Sequence, residues 1–169
     1  MSYTVELELK LYNAILGWRR AEIDDDVVMM LDTRQVGGTL MWEVDQRRWK
    51  WALDQACRAL GMDSDNVSVD YIALPTSVPV AGVTPYVRRH RDHGTIREVR
   101  HEAIRSSSRI RVKVVVLDTL EHGNGDTRPP TQDELFDMFK LVGDNIGLSP
   151  YGSQLGYGRF SVTVIEKKK

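Results

Sequence analysis

Three segments of the chain alternate apolar and polar residues with a period of two, and this pattern constrains the fold more than any other feature. The segments are residues 3–12, 109–117 and 159–165. Alternation of this kind is typical of β-strands that are buried on one face. A further strand is predicted over residues 67–74, where alternation begins at Val67 and the chain then reaches Pro75. The sequence therefore predicts four strands.

Two helices are predicted between these strands. Over residues 41–60, apolar residues recur at spacings of three, four and seven, which lines one face of a helix. Thr39 is the expected N-cap of this helix, and Gly61 is its expected C-terminal stop. The second helix begins at residues 131–134, where a threonine and a glutamate have the spacing of a capping box, and its apolar stripe ends at Gly143.

The order of these elements predicts an α+β fold of the ferredoxin-like βαββαβ type. Right-handed crossovers place the first and third strands at the centre of an antiparallel sheet, with both helices on one face. The other face of the sheet is expected to be open. The length of 169 residues favours a single domain, residues 1–169. Residues 13–40 have no clear period and are expected to form a loop with short extended or helical pieces.

The composition is that of an ordinary soluble globular protein, with 41% hydrophobic and 28% charged residues. No run approaches the roughly 18 apolar residues of a membrane span. The first residues have neither the basic segment nor the apolar segment of a secretory signal. Cys57 is the single cysteine of the chain, which suits a reducing compartment, so a cytoplasmic location is expected.

Basic residues are concentrated between the second and third strands. Residues 88–113 contain eight arginines and one lysine against three acidic residues, although the net charge of the whole chain is −1. Residues 80–108 are therefore expected to form a long basic excursion from the core. Concentrated positive charge attracts a polyanion, and each neutralised phosphate releases counterions. The alternative is a solvated hairpin whose charges pair with acidic residues of the same or a neighbouring molecule.

Two runs in the C-terminal part of the chain carry a family resemblance. They are His101-Glu102-Ala103-Ile104-Arg105-Ser106-Ser107-Ser108-Arg109-Ile110-Arg111-Val112 and Ile146-Gly147-Leu148-Ser149-Pro150-Tyr151-Gly152-Ser153-Gln154-Leu155-Gly156-Tyr157-Gly158-Arg159-Phe160. In this part of the chain, a turn precedes the third strand, a helix follows, and a glycine-rich loop leads into the last strand. This order resembles the pattern of the RAMP superfamily of CRISPR systems. The match is to backbone-type subunits of effector complexes more than to processing endonucleases. The short chain favours a phage or mobile-element relative.

The resemblance implies a non-catalytic protein that binds single-stranded nucleic acid, with RNA favoured over DNA. In the resembled subunits, an excursion between the second and third strands forms a thumb that pins RNA. The residues expected to contact phosphates are Arg88, Arg89, Arg91, Arg97, Arg100, Arg105, Arg109 and Arg111. In the glycine-rich loop, backbone amides are expected to approach the ligand, Arg159 supplies a charge, and Tyr157 or Tyr86 stacks on a base. No cofactor, metal or membrane is expected, and the expected protein partners are copies of the chain or CRISPR-type proteins.

Two other functional classes fit the sequence. One is a protein-interaction module that self-assembles, or that mimics a CRISPR subunit and inhibits its complex. The other is a metal-independent endoribonuclease that uses His90, His93 or His101 as a general acid or base. No second catalytic partner stands at a defined spacing, which favours a protein that is not an enzyme. His90 and His93 also have a metal-binding spacing, but no further ligand completes a set.

The acidic run and the tryptophans have simpler interpretations. Residues 24–26 are three consecutive aspartates, which are expected to form a solvated turn or a helix start in preference to a magnesium site. Trp42 and Trp49 are expected in the core, since both lie on the apolar stripe of the first helix. Trp51 lies off that stripe, and a stacking surface for bases is the alternative for these side chains.

Overall fold

The computed structural model describes residues 2–62, 67–74, 76–118, 127–149 and 152–168. It is a mixed α+β fold with mostly antiparallel sheets and two main helices. The strands are β1 (Tyr3–Leu11), β2 (Ile15–Leu16), β3 (Arg19–Ile23), β4 (Asp26–Met30), β5 (Thr33–Val36), β6 (Thr39–Glu43), β7 (Ile72–Ala73), β8 (Ser77–Pro79), β9 (Thr84–Asp92), β10 (Thr95–Ile104), β11 (Arg109–Val116) and β12 (Phe160–Lys168). The helices are α1 (Gln46–Ala59), α2 (Gln132–Leu141) and the short α3 (Gly152–Leu155).

The main sheet has the strand order β12-β1-β11-β7, and every neighbouring pair in it is antiparallel. The three alternating segments form β1, β11 and β12, as their period predicts. Leu7 and Leu9 of β1 join one core cluster with Trp49 of α1 and Phe139 of α2. The ring centroids of Trp49 and Phe139 are 5.5 Å apart. Both helices therefore cover the apolar face of this sheet, and polar side chains line the other face.

The first helix starts later than the periodicity indicates. α1 begins at Gln46, and its N-cap is Asp45, whose carboxylate accepts a hydrogen bond from the amide two residues on at 2.9 Å. The predicted start at residue 41 and the predicted N-cap Thr39 are wrong, because Thr39–Glu43 forms β6 and pairs with β5 and β8. Trp42 is buried as expected, but it is a strand residue. Trp51 is on the solvent side of α1, with 53% of its surface exposed.

The second helix has the predicted capping box. The Thr131 hydroxyl accepts a hydrogen bond from the Glu134 amide at 3.2 Å, and the Glu134 carboxylate accepts one from the Thr131 amide at 2.9 Å. The helix does not stop at Gly143, because a π-helical turn, Val142–Ile146, continues it. A Cβ on Gly143 would lie 2.1 Å from the carbonyl oxygen of Phe160. The glycine is therefore needed for close packing of the helix end on β12.

Residues 13–40 contain four complete short strands, β2 to β5, and the start of β6. Strands of two to five residues are too short to display a clear alternation. β3 and β4 form a hairpin in which Asp24 and Asp25 have φ of +51° and +66°, so the aspartate run is a tight turn. The strand predicted over residues 67–74 is also shorter than expected, because Val69–Tyr71 is a 3₁₀ turn and Ile72–Ala73 alone pairs with β11.

Candidate functional site

The basic excursion folds into an ordered β-hairpin. β9 and β10 are antiparallel and pair along the whole of β9. The two connecting residues, His93 and Gly94, have φ of +46° and +82°, as a two-residue hairpin turn requires. β9 has nine residues. At about 3.3 Å per residue, the hairpin is roughly 30 Å long.

The hairpin is anchored at its base. On the side of β10 away from β9, β2 pairs with Ala103 and Ile104, and β4 pairs with Arg100 and His101. Within the described chain, residues 88–99 (the outer hairpin) pair with each other and with no further strand. Residues 89–91 and 93–98 are exposed, whereas Arg88 and Val99 are half-buried, so the hairpin projects from the body beyond that first pair as a two-stranded ribbon.

Side chains of the hairpin alternate between two faces, and residues paired across the two strands share a face. The tyrosine face carries Tyr86, Arg88, His90, Arg97, Val99 and His101. The valine face carries Val87, Arg89, Arg91, Ile96, Glu98 and Arg100. Arg20 of β3 belongs to the tyrosine face, because it pairs with Met29 and Met29 pairs with His101. Sequence reasoning missed Arg20, since its segment shows no clear period.

Acidic residues compensate part of the positive charge on the hairpin. Arg100 lies 3.4 Å from the carboxylate of Asp26, and Arg89 stands directly opposite a glutamate. Arg91 and Arg97 stand opposite an isoleucine and a histidine instead, and both arginines are exposed. No carboxylate therefore stands directly opposite Arg91 or Arg97.

A pair of tyrosines joins the hairpin to the glycine-rich loop. The hydroxyls of Tyr86 and Tyr157 are 2.6 Å apart, and their rings meet edge to face with centroids 5.6 Å apart. Burial and the bond to Tyr86 raise the pKa of Tyr157 to about 12, against a smaller opposing effect of the nearby Arg88 charge. The two tyrosines expected to stack on a base are thus in contact with each other.

His101 lies apart from the other two histidines of the basic excursion. His101 is 3% exposed, and its Nδ1 donates to the carbonyl of Gly17 at 2.8 Å. Burial, with repulsion from Arg88, lowers the pKa of His101, which keeps the ring neutral. His90 and His93 are exposed in the outer hairpin. At about 3.3 Å per residue, roughly 25 Å of strand separates His93 from His101, so His93 and His101 cannot act together as acid and base.

The glycine-rich loop is packed on itself. A Cβ at Gly147 or Gly158 would lie within 2.5 Å of another backbone atom, and both residues have positive φ. The Ser149 hydroxyl accepts a hydrogen bond from the Leu16 amide at 2.8 Å, which ties the loop to β2. The amides that donate to carbonyl oxygens of the protein are those of Gly147, Leu148, Gly152, Gly156 and Gly158. This geometry favours a packing role for the glycines over the expected approach of amides to a ligand.

The remaining predicted arginines lie away from the outer hairpin. Arg109 and Arg111 are on the open face of the main sheet, where the Glu8 carboxylate is 3.2 Å from Arg109 and 4.0 Å from Arg111. Arg105 is exposed in the turn between β10 and β11. Arg159 donates through Nε to the carbonyl of Gly152 at 3.1 Å. The structure therefore separates the ten predicted site residues into the hairpin, the open sheet face with its adjoining turn, and the glycine-rich loop.

The described ranges contain neither a metal-binding cluster nor a membrane-spanning helix. In them, no group of three or more histidine, cysteine, aspartate or glutamate side chains could hold a metal ion. No helix in the same ranges is long and apolar enough to cross a membrane.

Comparison with known proteins shows a likeness in fold. No family model matches the chain, and no curated protein matches it in sequence. Among solved structures, it is similar to a chain of a structure titled "Type IV-B CRISPR Complex", with a TM-score of 0.60. The similarity covers 98% of this chain and 90% of that chain, at 10% sequence identity. At this identity, the likeness concerns the fold.

Proposed function

We propose that this chain is a non-catalytic, CRISPR-related protein that binds single-stranded nucleic acid, preferably RNA, through the outer hairpin. Three independent features support the proposal. The fold is similar to that of a chain in a type IV-B CRISPR complex. Two C-terminal runs resemble the RAMP superfamily. The outer hairpin carries exposed arginines on a projecting ribbon.

The proposal includes a ferredoxin-like core and membership of the RAMP superfamily. The order β12-β1-β11-β7 corresponds to the 4-1-3-2 order of a βαββαβ sheet, if β7 counts as its second strand. α1 then connects the first two strands of that core, and α2 connects the last two. On this interpretation, β2 to β6 are an insertion before α1, and β8 to β10 are an insertion between the second and third core strands.

The observation that carries the proposed binding is the position of Arg91 and Arg97. Both are exposed, both lie on the part of the hairpin that projects from the body, and neither has a carboxylate directly opposite it. They point to opposite faces of the ribbon, so a strand that crosses its end can meet both. Guanidinium groups bind phosphate oxygens through paired hydrogen bonds, which suits them to a nucleic-acid backbone.

A protein-interaction module is the second candidate, and it is supported by apolar residues on the valine face. Val87 is 51% exposed and Ile96 is 62% exposed. Exposed apolar side chains next to arginines are common at protein interfaces. Self-assembly, or inhibition of a CRISPR complex by mimicry of one of its subunits, would use this face.

An affinity titration separates the two candidates. A labelled single-stranded RNA of about 15 nucleotides and the DNA of the same sequence are titrated at about 50 and 200 mM salt. The wild-type chain is expected to bind RNA more tightly than DNA, and to bind more weakly at the higher salt. For the Arg91→Gln/Arg97→Gln variant, the slope of log K against log salt concentration is expected to become less negative by about 0.7 per lost phosphate contact.

The matched control is Arg47→Gln/Arg58→Gln on α1, where both arginine side chains are exposed, at 95% and 64%. This variant makes the same change in net charge and is expected to bind like the wild type. Equal losses in the two variants would mean that binding depends on net charge alone. Absence of binding at the lower salt would favour the interaction module, and RNA that is cleaved during incubation would indicate an endoribonuclease.

A further inference from the structure

The turn between β10 and β11 borders an open cavity that the outer hairpin does not reach. The turn consists of residues 105–108 (the serine turn) and is followed by Arg109. With Ala81, these residues line a cavity of about 520 Å³. Sites for small ligands in proteins commonly measure about 300–1,000 Å³. Ser107 has φ of +67°, which is uncommon for a residue other than glycine, and the Ser108 amide donates to the carbonyl of Arg105 at 3.4 Å across the turn.

The side chains around this cavity suit an anion. Arg105 and the hydroxyl-bearing residues Ser106 and Ser107 are exposed. Within the described chain, Arg105 pairs with no carboxylate, and neither hydroxyl has a hydrogen-bond partner. Arg109 is 63% exposed but lies 3.2 Å from Glu8. Two serine hydroxyls beside a guanidinium group offer the donors that phosphate oxygens accept.

An exposed aromatic residue follows the strand end that bonds to the serine turn. The main chain of Leu11 bonds to Ser107 at 2.9 Å and to Ser108 at 3.0 Å, so the next residue, Tyr12, lies beside the turn. The amide of Tyr12 donates to the carbonyl of Arg159 at 2.8 Å, and its side chain is 64% exposed. A ring in this position presents a surface on which a base can stack.

A further cation lies on the same side of the main sheet. Lys10 is exposed and pairs across the strands with Arg109. Tyr12 follows two residues later, so the alternation places both side chains on the polar face. Glu8 is shared between Arg109 and Arg111, which leaves a net positive charge around the turn. The backbone pairing therefore places Lys10, Arg109, the serine turn and Tyr12 at the same end of the main sheet.

We infer that the serine turn and Tyr12 form a nucleotide-binding subsite. In it, a phosphate is held by Arg105, Arg109 and the hydroxyls of the turn, and the attached base stacks on Tyr12. The inference deepens the proposed function and rests on it. β10 has ten residues, and at about 3.3 Å each they place this subsite roughly 30 Å from the tip of the hairpin. One strand that contacts both regions must therefore cross the protein between them.

Variants at Tyr12 and Arg105 test the subsite with the RNA of about 15 nucleotides used above. Tyr12→Ala is expected to weaken binding by about 5- to 150-fold, the effect of losing one stacked base, and Tyr12→Phe, which keeps the ring, is expected to recover most of that loss. For Arg105→Gln, the slope of log K against log salt concentration is expected to become less negative by about 0.7. The matched control is Trp51→Ala, because Trp51 is an exposed aromatic residue on α1.

The outcomes distinguish the subsite from the outer hairpin. If Tyr12→Ala and Arg105→Gln bind like the wild type while the Arg91/Arg97 variant is weakened, the subsite is refuted and the proposed function stands. If the first two variants are weakened and the Arg91/Arg97 variant is not, the subsite stands and the role of the outer hairpin is refuted. If the wild type does not bind, both are refuted. Thermal unfolding of each variant shows that the change in binding is not a loss of fold.

Discussion

The contact between Tyr86 and Tyr157 joins the hairpin to the glycine-rich loop, and its removal has a predictable cost. The two hydroxyls are 2.6 Å apart, and both side chains are partly buried. A Tyr→Phe change at either position removes the hydrogen bond, which contributes about 1 kcal/mol to stability. It also leaves the other hydroxyl without this partner in a partly buried position, which adds up to about 1 kcal/mol more.

A double-mutant cycle measures this contact. Tyr86→Phe and Tyr157→Phe are each expected to lower the free energy of unfolding in urea by about 1–2 kcal/mol. The double variant has no orphaned hydroxyl, so its loss is expected to be no larger than the larger single loss, with a coupling of at least about 1 kcal/mol. Tyr12→Phe is the matched control, because that side chain is 64% exposed. Strictly additive losses would refute the contact.

Three further predictions concern packing and pH. Gly143→Ala is expected to lower the free energy of unfolding by about 1–3 kcal/mol or more, because the added Cβ would lie 2.1 Å from the carbonyl oxygen of Phe160 in β12. Gly82→Ala is the control, because a Cβ at Gly82 would meet no atom within 4 Å. Equal urea midpoints for the two variants would contradict the prediction. Hydrogen bonds from Arg128 lower the pKa of Glu134 to about 2. The ionised Glu134 therefore stabilises the fold fully above the ordinary pKa of 4.5, and this stabilisation is lost as the pH falls toward about 2. Glu134→Gln should lack this part of the acid-unfolding curve. Burial lowers the pKa of His101, so the unfolded chain takes up the proton first, and stability should fall as the pH drops below 6.5. A His101→Asn variant that keeps the same slope would contradict this assignment.

Local patterns were sufficient for the elements that are long and half-buried. β1 and β11 have nine and eight residues, enough for the alternation to be read directly. The capping box at Thr131 was also predictable, because both of its hydrogen bonds lie within four residues. The start of α1 was not, because Trp42 continues the apolar spacing of the helix while the pairing of β6 with β5 and β8 holds it in a strand. Long-range pairing outweighs local periodicity there.

The candidate site was predictable in its charge but not in its geometry. The concentration of arginine is visible in the sequence, and the register of β9 and β10 decides which arginines share a face. The pairing of Arg109 with Glu8 joins residues about a hundred positions apart, which no spacing rule captures. Tyr12 belongs to the polar face of the first predicted strand, but its place beside Ser107 depends on how β1 meets the serine turn.

The glycine-rich loop shows why a motif does not by itself assign a role. Glycine allows a backbone to approach a phosphate, and it equally allows a backbone to approach itself. A Cβ at Gly147 would lie only 2.4 Å from the carbonyl oxygen of Tyr157, which favours close packing of the loop on itself. The distinction depends on the partners of the loop amides, which only the three-dimensional structure supplies.

Photo-crosslinking tests the central claim most directly. The wild-type chain is bound to single-stranded RNA that carries 4-thiouridine at successive positions, irradiated, digested, and analysed by mass spectrometry. The account predicts crosslinks to peptides from residues 84–104, with a second group at residues 105–109 or around Tyr12. Crosslinks confined to α1 and α2, or an equal yield from the Arg91→Gln/Arg97→Gln variant at the hairpin, would contradict it.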